Sequence, residues 1–168
     1  MRLEEVPDGE RVFVDANIFI YHFTRLSSEC RAFLERCEAG QVQAFTGAHV
    51  VLEVLHRLMM VEALHKRLIS SGQPARKLKE RPEIVRALND YNQAARQIPR
   101  MGVRVRALTP AIIKASEAIR MQYGLLTNDS VSVAVMRSLQ LTHLVSHDSD
   151  LKDIPGLTIY QPEDLSVS

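Results

Sequence analysis

Four carboxylates in this sequence stand where solvation alone explains them poorly. Asp15 interrupts the apolar run RVFVDANIFIYHF, Glu53 lies on a helical pattern in GAHVVLEVLHRL, Asp129 opens LLTNDSVSVAV with helical character, and Asp148 follows the apolar stretch THLV in THLVSHDSD. A carboxylate is seldom buried without a partner, because stripping its water costs several kcal/mol or forces protonation. Each acid alone has an ordinary explanation: Asp129 in a first helical turn complements the helix dipole, and Glu53 sits in a polar stripe with His49, His56 and Arg57. Together they imply more. Clustered carboxylates repel unless a hard cation neutralises them, and Mg²⁺ or Mn²⁺ suits an all-oxygen donor set. A cation bound there would acidify water and stabilise charge on a phosphoryl group, which is the chemistry of phosphodiester hydrolysis without a protein nucleophile.

Two rival chemistries fit less well. His49, Glu53 and His56 share a helix face and suggest zinc, but their order is not that of two histidines four apart bracketing a glutamate. An aspartyl-phosphate phosphotransferase also begins with Asp after an apolar strand, yet needs a second acid two residues on. Asn17 stands there, and an amide cannot shuttle that proton.

For the acids to meet, the chain must bring strand ends together. Candidate strands are Arg11–Asp15, Gln43–Thr46, Val103–Leu108, His143–Ser146 and Leu157–Tyr160; helical spacing spans Ile18–Thr24, Ser28–Glu38, Ala48–Ile69, Pro82–Gln97, Pro110–Gln122 and Asp129–Gln140. Alternation of short strands with helices predicts an α/β domain with a central, mostly parallel sheet, whose carboxyl-end loops form the ligand crevice. Ser27 or Ser28, Thr109 with Pro110, and Thr127 or Asn128 are expected helix starts; Gly40 and Gly124 are expected stops. The proline-bearing SSGQPARKLKERP reads as a connection.

At 168 residues and 46% hydrophobic content, one globular domain spanning 1–168 is expected. No run approaches the roughly 20 apolar residues of a membrane span, and MRLEEVPDGE is acidic where a signal peptide is basic, so a cytoplasmic protein with no membrane partner is expected. Cys30 and Cys37, seven apart on one helical pattern, read as buried free thiols. The net charge of +1 conceals segregation: residues 57–106 hold twelve Lys/Arg against four Asp/Glu, whereas residues 1–56 hold five against nine and residues 107–168 four against seven. The basic middle is either a solvated helical face or a phosphate-binding surface.

The order and spacing of these motifs resemble PIN-domain ribonucleases, and among them VapC-like toxins of toxin–antitoxin pairs. VFVDANIFI supplies an apolar strand ending in Asp, then a small residue and Asn. A helical Glu follows roughly forty residues later, then an Asp opening a late helix, then a strand ending in a polar residue with Asp nineteen positions beyond Asp129. The resemblance implies a PIN-like three-layer α/β/α fold and Mg²⁺- or Mn²⁺-dependent RNA cleavage, with a homodimer and an antitoxin protein as partners. By the family pattern, Asp15, Glu53, Asp129 and Asp148 form the catalytic, metal-binding quartet, Asn17 and Ser146 are supporting polar groups, and Asp150 is an accessory acid. His147 and Asp150 flank the fourth position closely enough to leave the choice between Asp148 and Asp150 open. The stretch from about 56 to 100 is a helical basic extension, longer than in compact toxins. Its Lys66, Arg67, Arg76, Lys77, Lys79 and Arg81 would guide an RNA backbone by charge, the last four being the named RNA-binding candidates. A PIN-like module that binds RNA or protein without cutting is the alternative, and the presence of all four acids argues against it.

Overall fold

The computed structural model describes residues 1–165. Strand β1 (Arg11–Val14) leads into α1 (Ala16–Phe23) and α2 (Ser28–Glu38); β2 (Gln43–Gly47) leads into α3 (Ala48–His65). Three short helices follow, α4 (Pro74–Glu80), α5 (Pro82–Ala87) and α6 (Asp90–Gln97), then β3 (Arg104–Arg106), α7 (Pro110–Tyr123), α8 (Thr127–Ser138), β4 (His143–Val145) and β5 (Thr158–Tyr160). All five strands pair in parallel in the order β3-β2-β1-β4-β5. Val12, Phe13 and Val14 are all fully buried, so both faces of the central strand are covered, as a three-layer α/β/α arrangement requires.

This order determines where a ligand can sit. β1 pairs with β2 on one side and with β4 on the other, so the chain reverses its winding direction at β1/β4. Connections leaving the two strands there diverge and open a crevice beyond their carboxyl ends. Asp15 follows β1 directly, and Ser146 follows β4 directly.

Local signals hold at several ends. Ser27 Oγ accepts the Cys30 amide at 3.0 Å, and Thr109 Oγ1 accepts the Ile112 amide at 3.3 Å, satisfying orphan donors of α2 and α7. Gly124 ends α7 at φ +69°, a left-handed conformation that a Cβ would strain. Cys30 and Cys37 are buried free thiols, and burial pushes them up to about 11 and about 12 respectively.

Elsewhere the structure corrects the sequence reading. α3 stops at His65 rather than Ile69, with Arg67 turning the chain at φ +56°. The stretch read as a connection contains α4, and the single helix expected over Pro82–Gln97 is two, α5 and α6. The break has a tertiary cause. Glu62, 7% exposed, accepts the amides of Asn89 at 3.1 Å and Tyr91 at 2.9 Å, so a carboxylate from α3 serves the start of α6. Ala63, Ile69, Leu78, Ile84 and Leu88 form a second small apolar cluster under these helices. β3 is three residues rather than six and wholly exposed; its two arginines blunt the sheet edge against further pairing. Neither Thr127 nor Asn128 caps α8: Leu126 holds the cap position without a side-chain bond, and Thr127 is already helical. No helix of the described residues is long and apolar enough to cross a membrane.

Candidate active site

The crevice at the switch point is a cleft of about 250 Å³ lined by Asp15, Asn17, Glu53, Asp129 and Asp148, with Ile20, Tyr21, Arg57 and His147. Four separate elements therefore deliver the expected quartet: the β1 end, the middle of α3, the first turn of α8 and the loop after β4. A larger groove of about 490 Å³ between α1, α3 and α6 holds Glu62 and Asp90, but both of those acids bond Lys66.

Asp15 is held on both oxygens. Oδ1 accepts the Ala16 amide at 2.7 Å, which caps α1, while Oδ2 accepts the Asn17 side-chain amide at 2.8 Å and the Ser146 hydroxyl at 2.7 Å. Ser146, fully buried, also accepts the Asp148 amide at 3.0 Å. Asn17 Oδ1 accepts the His147 amide at 3.1 Å. These bonds lock the β1 and β4 ends into one polar frame, in which Asn17 and Ser146 hold Asp15 and aim the loop carrying Asp148. Carboxylates so constrained lose little rotamer freedom on engaging a ligand.

The remaining acids are placed differently. Glu53 Oε2 accepts the Asn128 side-chain amide at 3.3 Å, so the residue expected as a helix cap instead steadies an acid across the cleft. Asp150 is exposed and lies outside the cleft lining; its amide donates to Asp148 Oδ1 at 2.9 Å, fixing the acid that does line it. His49 is engaged by α8 instead of a metal. Its Nε2 lies 2.9 Å from Ser132 Oγ, it is 8% exposed, and burial drives it down to about 4. His56 is exposed, and among the described residues His49, Glu53 and His56 do not converge into a metal-holding triplet.

The electrostatics are those of uncompensated negative charge. Burial pushes the Asp15 carboxyl above the usual carboxylate range; bonds from Ser146 and Ala16 pull it back, and the fields of Glu53 and Asp148 push it up again. Asp129 is pushed up to about 6 by burial and then by Asp148, Asp15, Glu53 and Asp150. Among the described residues no three His, Cys, Asp or Glu side chains converge closely enough to grip an ion directly. The chemistry of an all-oxygen donor set suits Mg²⁺ or Mn²⁺, ions that keep several waters and need only one or two direct carboxylates.

Sequence reading missed Tyr21 and gave no cleft role to Arg57 or Asn128. Two of them had a signal: Tyr21 is four residues after Asn17 on α1 and Arg57 four after Glu53 on α3, so each shares a helix face with a site residue. Asn128 had none, since a cap and a partner to α3 look alike in sequence. Of the basic candidates, Arg76 pairs with Glu80 at 2.9 Å, Arg81 reaches Glu83 at 3.3 Å and the Leu68 carbonyl at 3.2 Å, and Lys77 donates to Ser70 and Ser71. Lys79 is exposed and bonds no described side chain.

Comparison with known proteins agrees with this architecture. The PIN domain family model matches residues 12–157. Ribonuclease VapC2 of Methanocaldococcus jannaschii is 25% identical over 162 residues, covering 96% of this chain and 97% of that protein. A toxin–antitoxin complex from Klebsiella pneumoniae contains a chain of similar fold, with TM-score 0.53, 21% identity, and 88% and 95% of the two chains covered. VapBC2 from Rickettsia felis, bound to a promoter DNA fragment, gives 0.56 at 15% identity, covering 90% and 98%. The sarcin-ricin loop cleaving toxin VapC20 of Mycobacterium tuberculosis gives 0.54 at 18% identity, covering 83% and 91%.

Proposed function

The chain belongs to the PIN domain family, and on that premise we propose that it is a metal-dependent endoribonuclease that hydrolyses RNA phosphodiester bonds. The observation that carries this reading is the convergence of Asp15, Glu53, Asp129 and Asp148 from four elements onto one cleft, with Asp129 pushed up to about 6 in their combined field. These four would hold Mg²⁺ or Mn²⁺, with Asp148 preferred over Asp150, which lies outside the lining. A divalent ion held there supplies Lewis-acid stabilisation of charge developing on the phosphoryl oxygens and acidifies water. The chain's own residues do the positioning. Asn17 and Ser146 keep Asp15 aimed into the cleft, Asn128 restrains Glu53, and the amide of Asp150 restrains Asp148. A module that merely binds RNA gains nothing from unneutralised carboxylates, which repel the phosphate backbone.

The ribonuclease name of one relative, and the toxin–antitoxin and VapBC2 structures that share the fold, support a toxin role with an antitoxin protein as partner. We read residues 1–168 as one such domain, acting in the cytoplasm as a homodimer. Residues 56–100 form its basic extension, and Arg76, Lys77, Lys79 and Arg81 attract RNA chiefly through their summed field. The test is to incubate the purified parent, Asp15→Asn and Asp129→Asn with RNA in Mg²⁺, in Mn²⁺ and with chelator. Cleavage by the parent alone, at least about a hundredfold above either variant and abolished by chelator, is expected. Equal cleavage by the variants, or indifference to chelator, sinks the assignment.

A further inference from the structure

The cleft also carries an aromatic pair and a cation that holding a metal does not use. Tyr21 on α1 and His147 after β4 meet edge to face, with ring centroids 5.8 Å apart and planes at 75°. The Tyr21 hydroxyl lies 3.4 Å from His147 Nδ1, and the His147 amide donates to Asn17, so both the ring and the backbone of His147 are restrained. The imidazole is nevertheless exposed, immediately before Asp148. The two rings stand nearly at right angles, and the His147 side chain keeps exposed surface for a ligand. Arg57, one helical turn beyond Glu53, lines the same cleft, and no described carboxylate lies within salt-bridge distance of it. A cation beside four acids that pairs with none of them is available to an anionic ligand.

Resting on the ribonuclease reading, we propose that His147, braced by Tyr21, is a stacking platform for one unpaired nucleobase beside the scissile bond, while Arg57 holds a neighbouring phosphate. A base already stacked in a duplex has no face to offer, so the site selects single-stranded or looped RNA. Base stacking tolerates sequence, whereas Arg57 contributes affinity that falls with salt. The pair therefore selects an unpaired base and specifies its identity weakly.

The test uses a short single-stranded RNA carrying 2-aminopurine at the cleavage site, and its abasic counterpart, with the parent, His147→Ala, His147→Phe, Arg57→Ala and Arg57→Lys. Binding in Ca²⁺ is read by 2-aminopurine quenching, and cleavage in Mg²⁺ or Mn²⁺ by initial rates. The parent is expected to quench the fluorophore. His147→Ala is expected to lose the quenching and about tenfold in affinity, and that penalty is expected to shrink to within twofold on abasic RNA. His147→Phe, which keeps a flat ring but no ring nitrogen, is expected to retain both quenching and affinity. Arg57→Ala is expected to weaken intact and abasic RNA alike, with partial rescue by Arg57→Lys. No quenching by the parent, or His147→Phe failing as badly as His147→Ala, overturns the platform; an unaltered Arg57→Ala overturns the phosphate contact. If the parent quenches the fluorophore yet cuts no RNA with either metal, the ribonuclease reading fails and the platform stands.

Discussion

The two charged regions of this molecule are built on opposite principles. In the cleft, four carboxylates from β1, α3, α8 and the loop after β4 face one another, and the one cation in the lining, Arg57, pairs with none of them. In the basic middle, the acids present are matched by local cations, with Lys66 bonding Glu62 at 2.7 Å and Asp90 at 2.9 Å and Arg76 and Arg81 meeting nearby glutamates, while Lys77 straps the Ser70–Ser71 turn and a net positive excess remains. The difference is one of geometry: the cleft gathers its unpaired acids at one point, whereas the basic middle spreads its cations and ties several of them to local partners.

That contrast predicts stability effects of opposite sign. The largest comes from Glu62→Ala. Burial alone pushes the Glu62 carboxyl up, but Lys66 and the amides of Tyr91, Asn89 and Asp90 more than reverse this and hold it below the usual range. A group depressed in the folded state stabilises above its unfolded pKa and loses that contribution as pH falls through the folded value. Glu62→Ala should thus cost about 2 kcal/mol at pH 7, a loss of roughly 4–8 °C in Tm, with the gap to the parent narrowing in acid. An unchanged Tm would mean that α6 does not depend on α3 for its start.

In the cleft the sign reverses. The Asp129 carboxyl is raised in the folded state, so its ionisation carries a penalty that is fully present above about pH 6 and is relieved as pH falls through that value toward 4. Asp129→Asn should remove Asp129's share of that pH dependence, leaving that of Asp15, and keep the metal-free protein as stable as the parent at pH 7 or slightly more so, while abolishing cleavage. Thermal unfolding across pH checks this, and a lower Tm for the variant at pH 7 contradicts it.

The smallest effect separates the basic residues from one another. Lys79→Glu should leave Tm within about 1 °C, weaken RNA binding modestly and reduce the salt slope of log K by about one. Lys77→Glu should instead lower Tm by releasing the Ser70–Ser71 strap. If both variants behave alike, pairing inside the fold does not decide which charges reach RNA.

How much of this was legible in sequence follows from how local each cause is. Asp15 was readable because an acid interrupting an apolar run violates the pattern around it, whereas Ser146 and the supporting role of Asn17 came only from the family resemblance. The parallel sheet and its crevice followed from strands alternating with helices. The break between α5 and α6 was not readable, because the acid that makes it lies 27 residues upstream of Asn89. Asn128 was misread for a related reason: its partner Glu53 is 75 residues away, and only the packed fold brings the two together.

The cleft's unpaired charge is expected to form a cation site. Titrating the metal-free protein with Mn²⁺ and following free ion by electron paramagnetic resonance tests it without any substrate. Saturable uptake of one or two ions by the parent is expected, at least about tenfold weaker in Asp15→Asn and in Asp129→Asn. Equal uptake by all three proteins, or none by the parent, would contradict it.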